Sequence, residues 1–270
     1  MENHGKNLIL QTCADSFCSF QIALLFDGPA PTRHAKEKIN QGKPKDKNTK
    51  EEKHLLGISG ASPLFLKFCQ KLGSIVPTRH LRHFSGGLDT SQYSADGNFA
   101  MAWVETESVV PLPGGRDKRK FIGKRMVLFH SIPLMPSGIN TRKRHVGNDV
   151  VHIIFVEDDI ESALHDEREV SISGEFCLVT IYVIPMLETN HMAKIILKTK
   201  KDLDENMLES LQHLVGSSIM PFAAAAFYVR QLAVRADLAC RSILQDRLGI
   251  FSNWQERIRQ IKDLERYTNP

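Results

Sequence analysis

Hydrophobic positions along the chain fall into short runs with two different periods. Phe20 to Phe26 (FQIALLF) reads as a strand closed by the turn signal Asp27-Gly28-Pro29. Ser62-Pro63 opens a helix, with Ser62 as N-cap, Pro63 in the first turn, Leu64, Phe65, Phe68 and Leu72 on one side, and Gly73 at the end. Gly97 to Val104 reads as a strand, and Ile122 to Met135 has helical spacing through Met126, Phe129 and His130, ending near Pro133 or Pro136. Glu175 to Ile184 and Met192 to Thr199 read as strands. From Met220 to Leu244 apolar residues recur at three and four, so Phe222, Ala226, Val229, Ala233, Ala236 and Cys240 form one stripe of a long helix. Trp254 to Arg266 predicts a second, strongly charged helix. No internal repeat is visible.

Two segments interrupt this pattern. Pro31 to Lys53 is lysine-rich and nearly free of apolar side chains, so burial cannot offset its ordering entropy and a disordered insertion near 31–53 is expected. Glu105 to Lys120 carries Pro111, Pro113, Gly114 and Gly115 and reads as a second loop insertion. Between Arg33 and Lys53 there are eight Lys/Arg and four Asp/Glu, which accounts for the whole net charge of +4. The basic balance therefore says little about nucleic acid, and the groups at 116–120 and 142–144 have no interleaved stacking aromatics.

Composition narrows the class. With 42% hydrophobic and 24% charged residues in 270, the chain can bury a large core. No apolar run approaches the ~20 residues of a membrane span, and Leu8 to Phe26 is interrupted by Gln11, Asp15, Ser16 and Gln21, so it reads as core rather than as a leader. Cys13, Cys18, Cys69, Cys177 and Cys240 are scattered within apolar runs without a CxxC pair, as expected of reduced, buried thiols in the cytoplasm.

The chemistry concentrates in Thr141 to Asp158, TRKRHVGNDVVHIIFVED. Its first half is polar and basic; its second half runs apolar, as a strand entering a core does. Read as helical, the first half places Arg144, His145 and Asn148 on one face. Gly147 permits a sharp turn, and Asp149 can bond back to the local backbone. On spacing alone Asn148 reads as a turn residue and His145 as a capping or packing histidine, and chemistry at this tip is the minority reading. His145, Asp149 and His152 do not share a fixed face, so no metal site is expected. Gly86-Gly87 and Gly114-Gly115 fit neither GxxxxGK[ST] nor GxGxxG and read as turns, so the chain has no phosphate cradle of its own.

The residues say more than their spacing. Lys143-Arg144-His145-Val146-Gly147-Asn148-Asp149 followed by a β run resembles the signature of the Rap/Ran-GAP domain family, which activates Ras-like GTPases. Gly86-Gly87-Leu88-Asp89-Thr90, Asp96-Gly97-Asn98-Phe99 and Trp103 resemble its GGLD…DGxF…W segment, and Phe129-His130 with Pro133 to Pro136 resembles its FH…LMP segment. Trp254…Arg257…Ile261-Lys262…Leu264…Tyr267 to Pro270 is similar to the tuberin-type members.

The resemblance implies an α/β fold, with a mixed sheet flanked by helices. It further implies a smaller N-terminal α+β subdomain, 1–120, that buttresses or dimerises, and a catalytic subdomain, 121–270. It implies that Asn148 is an "Asn thumb" inserted into a GTPase's nucleotide site, with Lys143, Arg144, His145 and Asp149 binding the GTPase or supporting the helix. His145 is expected to support it through a ring hydrogen bond. GTP and Mg²⁺ then belong to the partner, a small GTPase of Rheb, Rap or Ral type with Rheb favoured, and this chain has no cofactor of its own. A cytoplasmic setting, reached at membrane surfaces through the GTPase, TOR signalling, a hamartin-like partner if the chain is part of a larger protein, and a homodimer complete what the resemblance implies. The alternative is a module that binds a GTPase or a scaffold without speeding hydrolysis.

Overall fold

A computed structural model describes residues 18–28, 47–57, 60–81, 84–91, 94–105, 125–136, 138–157, 160, 172, 176–186, 191–200, 203, 205, 209 and 211–248. Strand β1 (Cys18–Asp27) is followed by helices α1 (Lys47–Gly57) and α2 (Pro63–Leu72) and strands β2 (Ser74–Pro77), β3 (Phe99–Val104) and β4 (Arg125–Ser131). Then come helix α3 (Ile139–Val146), strands β5 (Val151–Val156), β6 (Val179–Met186), β7 (Met192–Thr199) and β8 (Gly216–Pro221), and the long helix α4 (Phe222–Leu248).

The eight strands form one mixed sheet in the order β2-β3-β4-β1-β5-β6-β7-β8. Its middle, β4-β1-β5-β6, is parallel. The outer pairings are antiparallel. A parallel centre must be covered on both faces, and β1 separates the two layers by alternation. Phe20, Ile22, Leu24 and Phe26 face α2 and α4, packing in one cluster with Phe65, Phe68, Val229 and Ala233. Ala23 and Leu25 face α1 and α3, with Leu55, Leu56 and Val146. The fold is thus the expected α/β class with a helix-flanked mixed sheet. Strands from both sides of residue 120 share it: β3 pairs with β4, and β1 lies between β4 and β5.

The α2 signals act as read: the Ser62 hydroxyl accepts from the Phe65 amide at 2.9 Å, and the Gly73 amide closes the last turn onto the Cys69 carbonyl. Three expectations need correction. Lys47 to Lys53 is not disordered but opens α1, because Leu55 and Leu56 beyond it anchor that helix fully in the core; residues 31–46 lie outside the described residues.

Arg125 to Ser131 is strand, not helix, followed by a 3-10 turn over Ile132–Leu134. A strand buried on both faces has no alternation left, so its apolar run imitates helical spacing. Helix α4 starts at Phe222, since Met220 and Pro221 end the edge strand β8, whose exposed GSSIMP gives no apolar signal. The expected α4 stripe is real: Ala226, Val229, Ala233, Ala236 and Cys240 are fully buried. The 105–120 insertion beyond Glu105 and the charged helix at 254–266 lie outside the described residues. Cys69, Cys177 and Cys240 are free thiols, and burial pushes the Cys69 and Cys240 thiols up to about 12.

Candidate functional site

Helix α3 carries three basic residues in sequence, and the fold sends each somewhere different. Arg142 turns inward and is only 2% exposed. Its guanidinium donates to three carbonyls: Nε to Pro136 at 2.8 Å, Nη1 to Leu56 at 2.6 Å and Nη2 to Met135 at 2.9 Å. Lys143 pairs with Glu52 on α1. Arg144 stays exposed and donates from Nη2 to Asp96 Oδ1 at 2.7 Å.

Asp96 is the carboxylate that organises the near side of α3. Its Oδ1 lies 2.9 Å from His145 Nε2 as well, and its Oδ2 accepts the Asp89 amide at 2.9 Å. Asp89 in turn accepts from the Ser91 amide and hydroxyl. One buried carboxylate thus ties the 89–96 loop to the last turn of α3. Burial alone would raise the Asp96 carboxyl. The hydrogen bonds from His145 and the Asp89 amide, with the charges of His145 and Arg144, outweigh it and hold the group below the usual range.

A carboxyl lowered in the folded state contributes stability above its unfolded value of about 4, and that contribution disappears as pH falls through the folded value. Asp96→Asn should therefore lower stability at pH 7, and the gap to wild type should narrow on acidification below about pH 4. Urea unfolding at the two pH values measures it; a gap independent of pH would show that the Asp96 charge contributes nothing.

Beyond α3 the chain turns at Gly147 and Asn148. Gly147 has ordinary helical backbone (φ −66°, ψ −15°), so the turn does not use glycine's conformational freedom. What it uses is glycine's size, because a Cβ there would sit 2.7 Å from the Lys143 carbonyl oxygen. Asn148 lies just past the helix end, yet its side chain still reaches back four residues, with Nδ2 donating to the Arg144 carbonyl at 2.7 Å. That bond fixes the amide. Asn148 is exposed, and its Oδ1 and second N–H remain as an acceptor and a donor.

Asp149 does not bond back to the local backbone as expected. It is fully buried, and its Oδ2 lies 2.8 Å from Nδ1 of His130 on β4. His152 turns its Nε2 to the Val146 carbonyl at 2.9 Å. The carboxylate and imidazoles of 145–152 therefore face three different partners. Among the described residues, no group of three or more His, Cys, Asp or Glu is placed to hold a metal ion.

Of the residues singled out in the sequence, Arg144 and Asn148 share the exposed end of α3, His145 and Asp149 brace it from inside, and Lys143 points toward α1. Asp96 and His130 complete the arrangement. The sequence placed both in recognisable segments, but their pairing with α3 spans 48 and 19 residues and leaves no local periodicity. Chemically, the surface offers an anchored carboxamide and, one turn earlier, an exposed arginine paired with Asp96, groups able to orient water or a charged group held by a second molecule.

A model of the family described as Rap/ran-GAP matches residues 55–263. The chain is 27% identical over 229 residues to the Tuberous sclerosis 2 protein homolog of Schizosaccharomyces pombe, a match covering 80% of this chain and 15% of that protein. It is 27% identical over 222 residues to the Ral GTPase-activating protein subunit alpha-1 of Homo sapiens, covering 79% of this chain and 9% of that protein. The chain thus spans only a small part of the length of these relatives. In fold it is similar to the solved structure of the TSC2 GAP domain, with a TM-score of 0.56 and 18% identity, covering 85% of this chain and 100% of that one.

Proposed function

Because the chain belongs to the Rap/ran-GAP family, we propose that it stimulates GTP hydrolysis by a Ras-type small GTPase, acting in trans through Asn148. The observation that carries this is the state of that side chain: exposed, yet anchored by its own Nδ2–H to the Arg144 carbonyl. Hydrolysis of a GTP γ-phosphate needs a placed water and stabilised charge, with little covalent work from protein. An amide whose Oδ1 accepts from the attacking water, and whose free N–H donates toward the phosphate, performs the task that a glutamine performs in some GTPases. The GTP and Mg²⁺ are the partner's. A Rheb-type GTPase is the favoured substrate, on the resemblance of the Trp254 to Pro270 pattern to tuberin-type members, with Rap and Ral types next, as the names of the matched family and of the Ral GTPase-activating relative suggest.

Arg144 serves docking and helix support rather than acting as an arginine finger, since its guanidinium is engaged with Asp96. Arg144→Ala should keep stimulated hydrolysis within about tenfold of wild type, against the 10³–10⁵-fold loss expected for a finger. Single-turnover hydrolysis over a panel of Rheb, Rap and Ral proteins tests the whole reading. Binding without acceleration on every member would replace it with a non-catalytic binding module. A finger-sized loss for Arg144→Ala would move the chemistry from the amide to the guanidinium.

A further inference from the structure

We propose that His130 is the positioning residue for Asn148, an inference that rests on the reading of Asn148 as the acting amide. His130 sits near the end of β4, 1% exposed, with both ring nitrogens occupied. Nε2 lies 3.0 Å from the Gly86 carbonyl oxygen, which can only accept, so that nitrogen carries a proton. Nδ1 lies 2.8 Å from Asp149 Oδ2. One ring therefore links the glycine turn to the residue that follows Asn148 in the chain. It also packs against the His145 ring at a centroid distance of 5.2 Å, and so against the group that holds Asp96.

Besides His130, the helix end and turn are held by Asp96 at His145, by His152 at the Val146 carbonyl, by Asn148's own bond to the Arg144 carbonyl, and by backbone bonds. The amides of Gly147, Asn148 and Asp149 donate to the carbonyls of Lys143, His145 and Val146, and these bonds belong to a frayable helix end. The contact from Asp149 to β4 reaches across β1 into the parallel centre of the sheet and makes the turn part of it. Gly86 is shaped to this arrangement on two counts. Its φ is +59°, and a Cβ there would lie 2.5 Å from Leu128 Cδ2 and 3.2 Å from His130 Nε2. The glycine turn thus closes tightly onto the imidazole, with its carbonyl at Nε2. Displacing a reacting group by about 1 Å can cost on the order of 10²-fold in rate, so loss of this brace should appear in turnover rather than in docking.

Two amide replacements separate the ring's contacts. In His130→Asn the amide nitrogen takes the place of Nδ1 and keeps Asp149; in His130→Gln it takes the place of Nε2 and keeps Gly86. With the panel's most responsive GTPase as substrate, His130→Gln should lower the maximal stimulated rate about 10- to 100-fold with KM for the GTPase little changed, and His130→Asn should restore most of it. In an Asn148→Ala background, His130→Gln should cost almost nothing further, because the group it positions is gone.

Unchanged turnover with only a lowered melting temperature would reduce His130 to a structural residue. A raised KM at constant turnover would make it a docking residue, and an undiminished effect in the Asn148→Ala background would place its action elsewhere; each overturns the proposal. Should His130→Gln fail to fold, Asp149→Asn is read by the same split between turnover and KM. Full activity of Asn148→Ala by itself would instead strike the proposed function.

Discussion

Asn148→Ala should fold like wild type and lose stimulated GTP hydrolysis on the order of 10²–10³-fold, the scale of removing one preorganised donor or acceptor from a reacting centre. The fold should be spared because the side chain is exposed and makes one hydrogen bond, to the Arg144 carbonyl, which water can replace. Such a loss costs about 1 kcal/mol or less. The chemistry should not be spared, since alanine can neither accept from a water nor donate toward a phosphate. Asn148→Asp sharpens the point. It keeps an acceptor of the same shape, but it loses both N–H donors and brings a negative charge toward the phosphates, so it should be no better than alanine. Single-turnover hydrolysis with a thermal unfolding curve for each variant gives the answer. Wild-type turnover in Asn148→Ala would dismiss this side chain from the reaction.

The largest effect on stability is expected at Arg142, one turn before the end of α3. Its guanidinium joins Leu56, at the C-terminal end of α1, to the Met135 and Pro136 carbonyls that lead into α3. Burial lowers its pKa, which is the sign of a charge withdrawn from water. Arg142→Met fills much of the volume but orphans three carbonyls, two of them in buried hydrogen bonds, and should cost about 3–5 kcal/mol. For a chain of this size that corresponds to a melting temperature lower by roughly 10 °C. Arg142→Lys should recover little, because one ammonium cannot span a fork that reaches three acceptors. Denaturant unfolding of the two variants measures both. A loss under about 1 kcal/mol for Arg142→Met would mean that water or relaxation satisfies those carbonyls.

Arg142, Lys143 and Arg144 mark where reading by sequence stops. Side by side they look like a solvated basic patch. Only the fold decides that the first is buried, the second meets Glu52 on α1, and the third meets Asp96 on a loop 48 residues upstream. Asp149 makes the same point: as a turn residue it should bond locally, but a histidine two strands away provides a better partner inside the core. The Arg125 to Ser131 strand takes on helical spacing in the sequence for a related reason. Val127 and Phe129 pack into the layer on one face of the sheet and Met126 and Leu128 into the layer on the other, which erases the alternation that would identify it.

What the chain determines by itself is what acts over a few residues: the Ser62 cap, the buried stripe of α4, the β1 run and the polar string that ends at Asn148. The α/β class and the choice of Asn148 come from the resemblance carried by that string and by the segments around Gly86, Asp96 and Phe129, not from periodicity. Tertiary structure decided the rest. It stacked eight strands with β1 at the parallel centre and brought Asp96 and His130 beneath the last turn of α3. Hydrogen bonds between groups far apart in sequence need a close approach that only the packed sheet provides, so no periodicity along the chain records them.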